Sequence, residues 1–387
     1  MTPSCPTSHG LKPDLSLAKH FASLEDPRRR HRRLHPLQDI VVIALCAVIA
    51  GAQDWQEIAT FGRKRRDWLQ RFLDLPHGIP SHDTFERVFN RLKPQGFQAC
   101  FRQWVQAISA ALKIKHIAID GKTLRGSGSL KLGPLHLVSA WATAQHLTLG
   151  QVAVDAKSNE ITAIPALLEL LDLNGALVTI DAMGCQKDIA QKIVDQGGHY
   201  ALTVKDNQPH LLEDIQQAFA QALDSDFAGL EHDTFETRER GHGRDEYRCY
   251  TVLHSSAGIR QAGNRAGLTT IGLCYSERTL KDKTTSEARY FIGDKKGSAK
   301  YYATGLRNHW GIENHLHWQL DVTFGEDRNR VTKRNAAENL ALLRRLTLTL
   351  LKAHPAKLSI AKKRFAAALD TDFLEEILRG DGILEKR

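Results

Sequence analysis

Two short runs constrain this chain more than any other feature: HIAID at residues 116–120 and LVTID at 177–181. Each is largely apolar until its final acid, and each acid precedes a small residue, Gly121 or Ala182. Runs this short and this rich in β-branched residues read as buried strands. The first begins at Ile114, and its Asp120 falls where the chain is expected to leave the sheet. A single Asp-Gly pair is also a common turn. Two such endings in one sheet imply a cluster, because the carboxyl ends of strands are where ligands collect in open α/β sheets. Carboxylates that face each other are unfavourable unless a cation neutralises them. Oxygen-only ligation that leaves room for water and a substrate phosphate is the preference of Mg²⁺.

The runs around these strands define a fold class. LHLVSAWAT (135–143) and LTLGQVAVD (147–155) read as a strand pair, and EITAIPALLELLDL (160–173) as a helix with an apolar stripe. CQKDIAQKIVDQG (185–197) is an amphipathic helix and HYALTV (199–204) a further strand. The order β-β-β-α-β-α-β predicts an α/β mixed sheet with flanking helices. Residues of about 208–292 break that order. A helix over about 209–222 is followed by strand-like pieces at DTFETRER, EYRCYTVL, LTTIGLCY and ARYFIGD. These read as an inserted β-rich subdomain, after which SAKYYATGLRNHWGIENHLHWQLDV returns to helix.

An all-α N-terminal domain is expected over 15–110, after a loose end at 1–14. Its apolar run from Ile40 to Ala52 is too short to span a bilayer and reads as a buried helix. Helices over 53–92 follow, one of them capped by Ser81, in an arrangement compatible with helix-turn-helix DNA binding. Residues 351–387 read as a helical tail. The six cysteines form no CxxC pair, and no signal peptide opens the chain, which points to free thiols in the cytoplasm. The 53 Lys and Arg against 44 Asp and Glu give a net charge of +9, which favours a polyanionic partner.

A third acid comes from NHWGIENHLHW. On a regular helix Leu306, His309, Glu313, Leu316 and Leu320 share one side, so Glu313 interrupts an apolar stripe. Trp310 and Trp318 read as core. In order along the chain stand DPRRRHRRLHPLQDIVVIALCAVIAGAQDWQEIATFG, PSHDTFERVF, AIDGKTLRGS, TIDAMGCQ, VKDNQ, HGRDEYR and HWGIENHLHWQLDVTFGEDRNR. This series resembles the DDE transposases of bacterial insertion sequences, of the H-repeat-associated type, over about residues 17–350. The resemblance implies an RNase-H-like catalytic core over 111–350. It also implies a catalytic, metal-holding triad of Asp120, Asp181 and Glu313 using Mg²⁺, with Mn²⁺ able to substitute. The implied activity is cleavage at element ends and 3′-hydroxyl strand transfer into target DNA. The implied partners are double-stranded DNA and a second copy of the chain in a synaptic complex. Two ions about 3.5–4 Å apart would serve the attacking and leaving oxygens in line.

Related transposases carry a tyrosine, an arginine and a lysine around the glutamate, where this chain has Leu306, His309 and Leu320. His309 remains a candidate phosphate contact. Lys122 and Arg125, just after Asp120, are candidates to hold a phosphate near the metal. Arg240, His242, Arg244 and Arg248 form a dense basic cluster in the insertion, expected to touch DNA. The basic runs at 28–33 and 62–67 are solvated faces by default. Zinc ligation by His309, Glu313 and His317 is allowed by their four-residue steps, but HExxH is absent and both strand-end aspartates would be unexplained. An RNase-H-like nuclease without strand transfer shares every catalytic residue, and a decayed element protein that only binds DNA is the non-enzymatic alternative.

Overall fold

The computed structural model describes residues 17–109, 112–129, 133–154, 158–241, 243–281 and 283–380. The expected loose end at 1–14 lies outside the described residues. The chain divides into two units, one formed by its N-terminal part through Lys113 together with the residues from Leu350 onward, the other spanning Ile114–Thr349.

The first unit is helical: α1 (Leu17–Phe21), α2 (Leu37–Ile49), α3 (Trp55–Lys64), α4 (Arg66–Leu69), α5 (His82–Arg91) and α6 (Pro94–Ser109). Helix α2 is apolar on nearly every side and is buried accordingly, with α1 and α3 packed against it. The side chain of Asp54 caps α3 by accepting from the amide of Glu57, and Glu57 accepts in turn from the amide of Gln53. Ser81 caps α5 through the amide of Thr84. The basic run at its start is partly structural: Arg28 is buried, paired with Asp26 and bonded to the carbonyl of His35.

The second unit is built on one nine-stranded sheet. Its strands are β1 (His116–Leu124), β2 (Leu135–Ala142), β3 (Leu147–Ala153), β4 (Leu177–Ile180), β5 (His199–Val204), β6 (His232–Gly241), β7 (Arg244–Leu253), β8 (Thr270–Leu280) and β9 (Lys283–Gly293). Their order is β3-β2-β1-β4-β5-β9-β8-β7-β6, with β1, β4 and β5 parallel and all other neighbours antiparallel. The first five strands, with α7 (Glu160–Leu168) and α8 (Lys187–Asp195), make the RNase-H-like mixed α/β core. After α9 (Pro209–Asp224), strands β6–β9 form the β-rich insertion that the sequence suggested. They continue the sheet, because β5 would otherwise be an apolar edge: Leu202 and Thr203 pair with Ile292 and Phe291 of β9. One core cluster joins Leu177 and Ala201 to Tyr250, Val252 and Phe291, and to Ala299, Tyr302 and Ala303 of α10 (Ala299–Ile312).

Helix α10 leads through a π-helical turn (Glu313–His317) into α11 (Trp318–Val322) and then α12 (Arg334–Ala353). Beyond it, α13 (Ile360–Leu369) and α14 (Thr371–Arg379) are not a free tail: both pack on α2, and Arg364 donates to the carbonyl of Val48 at 2.9 Å. Among the described residues, no helix is long and apolar enough to cross a membrane.

Candidate active site

Strand periodicity decides which side chains meet. Side chains alternate between the two faces of a strand, and two contacts fix the faces of β4. Leu177 packs beneath Gly305 of α10, while Ile180 lies against Gly184 beside Ile164 of α7. Odd-numbered residues of β4 therefore face α10 and even-numbered ones face α7. On β1, His116 bonds Thr179 across the α10 face, whereas Gly121 abuts Glu160 of α7. Asp120 and Asp181 consequently belong to the same face, the one covered by α10.

Register brings them side by side. The parallel ladder ends at Ile119 and Ile180, so the next residues on each strand are Asp120 and Asp181, on neighbouring strands about 4.8 Å apart. Strand β1 does not end at Asp120 as expected. It continues to Leu124 because Asp120–Leu124 remain paired with β2, Asp120 opposite Ser139. The acid marks the end of the parallel neighbour, not of its own strand.

Asp120 is well enclosed, and burial, with the negative charges of Asp181, Glu160 and Glu313 behind it, pushes its carboxyl up to about 7. Its Oδ1 accepts from the amide of Gly121 at 2.9 Å, and its Oδ2 lies 3.4 Å from Nδ1 of His317. Burial pushes the His317 imidazole down to about 3, so this contact involves a neutral ring. Asp181 Oδ1 accepts from the amide of Met183. Beneath the two acids runs a row of neutral groups: Thr143 to His116 (2.9 Å), His116 to Thr179 (3.0 Å) and Thr179 to Nδ1 of His309 (3.0 Å). Burial lowers both imidazoles, His116 to about 3. His309 therefore meets any phosphate as a neutral group.

Glu313 arrives from a different direction than a straight helix predicts. The amide of Trp318 donates to the carbonyl of Glu313, five residues back, so the helix has one wide turn there. The buried line runs through Tyr302, Gly305, Ile312, Leu316 and Leu320. Glu313 stands beside that line, exposed, and lines a cleft of about 1320 Å³ together with Asp181 and His309. Trp310 and Trp318 are not core: they are 43% and 54% exposed, and the Arg289 guanidinium lies 5.4 Å from the Trp310 ring centroid.

The cleft's far wall comes from the insertion strands and includes Arg244 and Arg248. Arg240 does not line it. These arginines carry partners: Arg240 pairs with Asp245, Arg244 with Glu246, and Arg248 with Glu239 and Glu246. The Arg240–Asp245 pair is exposed on both sides and contributes roughly 0–1 kcal/mol, whereas Arg248 and Glu246 are only 13% and 10% exposed and hold each other more firmly. His242 lies outside the described residues. Lys122 departs most from expectation. It is buried, with Nζ 2.6 Å from Asp321 and 3.3 Å from Asp327, so its charge is committed inside the fold and is not available to a phosphate. Arg125 is largely exposed, does not line the cleft, and approaches Asp327 at 3.5 Å.

This arrangement has relatives. The family described as "Transposase DDE domain" matches residues 111–350, and one described as "DDE_Tnp_1-associated" matches residues 18–105. The chain belongs to the DDE transposase family. It is 41% identical over 371 residues to "Putative transposase YncI" of Escherichia coli O157:H7, covering 94% of each chain. It is 38% identical over 375 residues to "H repeat-associated putative transposase YhhI" of Escherichia coli strain K12, covering 95% of this chain and 98% of that one.

DDE domains use a divalent cation, and the donor chemistry here suits one. The acids are hard oxygen donors, and Asp120, raised first by burial and further by its acidic neighbours, is a carboxyl whose ionised form a cation would favour. Among the described residues, no three His, Cys, Asp or Glu side chains form a ready-made metal cage. His309, Glu313 and His317, the zinc set allowed by the sequence, are not gathered as a metal site among the described residues. The sequence reading weighed His317 only as a zinc ligand, and it missed His116, Thr179 and Glu160. Of these only His317 carried a signal, four residues beyond Glu313.

Proposed function

We propose that this DDE transposase cleaves DNA at the ends of its element and joins the freed 3′-hydroxyl to target DNA, with Asp120, Asp181 and Glu313 as the acting carboxylates. The observation that carries the reading is the register of Asp120 beside Asp181 on the face covered by α10, with Glu313 of the following helical turn on the cleft that Asp181 also lines. Mg²⁺ is the proposed cation; bound there, it would neutralise the carboxylates and the charge that develops on the phosphate, and Mn²⁺ would substitute.

The chain's own residues supply position and charge. The amides of Gly121 and Met183 hold Oδ1 of Asp120 and of Asp181 respectively, which fixes how each carboxylate is turned. Neutral His309, fixed through Thr179, lines the cleft without adding a charge that would compete with a cation. Arg244 and Arg248 on the opposite wall are proposed to meet backbone phosphates, Arg248 by giving up its exposed partner Glu239. Water attacks the phosphorus at the element end, and the bond to the 3′ oxygen breaks to give a 3′-hydroxyl and a 5′-phosphate. That hydroxyl then attacks a target phosphorus and the target strand's own 3′ oxygen leaves as a new 3′-hydroxyl, a transesterification that exchanges one phosphodiester for another. Two ends must be brought together, so a homodimer acting in the cytoplasm is the proposed working state.

The test is a joining assay. Duplex carrying the element's flanking ends is incubated with Mg²⁺ and supercoiled target DNA, and the products are mapped at nucleotide resolution. Joined products through the 3′ end are expected. Cleaved ends without any joined product would leave the protein a nuclease and overturn strand transfer.

A further inference from the structure

His317 touches the site without belonging to the triad, and its two nitrogens are in unlike surroundings. Nδ1 faces Oδ2 of Asp120 at 3.4 Å. Nε2 is buried with no hydrogen-bond partner among the described residues, on a ring that also feels the positive charges of Arg345 and Lys122. A ring proton on Nε2 would have no acceptor and would sit among like charges, whereas a proton on Nδ1 has the Asp120 carboxylate 3.4 Å from its nitrogen. The geometry therefore selects the tautomer that carries its hydrogen on Nδ1.

We propose that His317 is a positioning residue for Asp120, its Nδ1–H holding Oδ2 while the amide of Gly121 holds Oδ1. Both oxygens of the carboxyl are then oriented, and the lone pairs left over point in one fixed direction. At 3.4 Å the contact is longer than a relaxed N–H···O bond; such contacts are often loose in ligand-free enzymes and tighten on the substrate. The wide turn explains how one element does this. It opens with Glu313, which lines the cleft, and closes with His317, which is 12% exposed and directed at Asp120. Wide turns inside helices recur at functional sites for this reason.

The proposal rests on Asp120 being an acting carboxylate, and the experiment separates the two claims. Full-length His317→Asn, His317→Gln and His317→Leu are compared with the parent and with Asp120→Asn. Mn²⁺ binding is followed by loss of the free-ion paramagnetic signal, and Mg²⁺-dependent cleavage of end DNA is measured alongside. An asparagine amide falls where Nδ1 lies, while a glutamine amide reaches the position of Nε2. His317→Leu and His317→Gln should each lose about tenfold or more in Mn²⁺ affinity and in cleavage rate, the scale of outer-sphere partners. His317→Asn should recover most of both. Equal behaviour of the Asn and Gln variants, whether both intact or both defective, overturns the proposal, and that contrast stands even if the leucine variant folds poorly. If Asp120→Asn binds Mn²⁺ and cleaves like the parent, the underlying reading of the triad fails instead.

Discussion

At the scale of single residues, neighbouring acids of one short segment have opposite fates. Glu313 is exposed on the cleft, while Glu326 is fully buried against Arg345 at 3.1 Å, both side chains with no exposure. The sequence ranked Glu313 above Glu326 by its place on a helical stripe, but it carried no sign that Glu326 is paired with Arg345. Glu326→Gln would strand the Arg345 guanidinium in the interior, so it should cost about 3–5 kcal/mol of stability in denaturant unfolding. Glu313→Gln should leave the unfolding midpoint unchanged. The pH dependence has a definite sign. Asp120 is raised from 3.8 to about 7, and Glu338 from 4.5 to about 7, in both cases first by burial. A raised carboxyl contributes stability that is full below its unfolded value and is lost as pH rises through its folded one. The metal-free protein should therefore lose thermal stability between about pH 4 and pH 7. A divalent cation favours the ionised form of Asp120, so added Mg²⁺ should raise Tm more at pH 8 than at pH 5. Asp120→Asn should abolish most of that difference; an equal Mg²⁺ shift at both pH values would contradict the assignment.

At the scale of elements, the close approach of α10 to the sheet sets where the third acid stands. A Cβ on Gly305 would come within 2.4 Å of the buried Leu177 side chain. Gly305→Ala should force α10 away from β4, cost about 1–3 kcal/mol, and slow cleavage by more than its loss of folded fraction explains. Cleavage that simply tracks the folded fraction would show that the spacing of α10 does not matter to the site. The strand and helix order was legible in the sequence because it depends on local pattern: short β-rich runs at 135–143 and 147–155, and apolar stripes in 160–173 and 185–197. What was not legible depends on pairing between distant segments. Strand β1 runs past Asp120 because residues 121–124 find β2, and β6–β9 join the main sheet because β9 finds β5. Lys122 looked available because its partner Asp321 lies 199 residues away. The wide turn at Glu313–His317 has no local signature, so a regular helix was the natural reading and put Glu313 inside the apolar line. Asp120 and Asp181 were recognisable as candidates because each ends a buried parallel pairing on a charge, which local sequence does record.

At the scale of the molecule, the helical unit is completed by residues from the other end of the chain. Arg364 bonds the carbonyl of Val48, Trp68 Nε1 donates to Glu375 at 2.9 Å, and Arg65 donates to the carbonyl of Ala368. A fragment limited to residues 17–109 should therefore unfold with low cooperativity, and adding a peptide of residues 355–380 should restore a sharp transition. A fully cooperative 17–109 fragment would mean that α13 and α14 are dispensable. For the catalytic unit, the central claim is that Asp120, Asp181 and Glu313 act as one site. The most direct measurement is single-turnover cleavage of end DNA in Mg²⁺ by the parent and by Asp120→Asn, Asp181→Asn and Glu313→Gln, each first shown to be folded. The account predicts that every one of the three loses at least about a hundredfold in rate, and that combining two costs little more than one, since residues acting as a unit are not additive. A folded Glu313→Gln protein that cleaves near the parent rate while Glu326→Gln, also folded, abolishes cutting would contradict it.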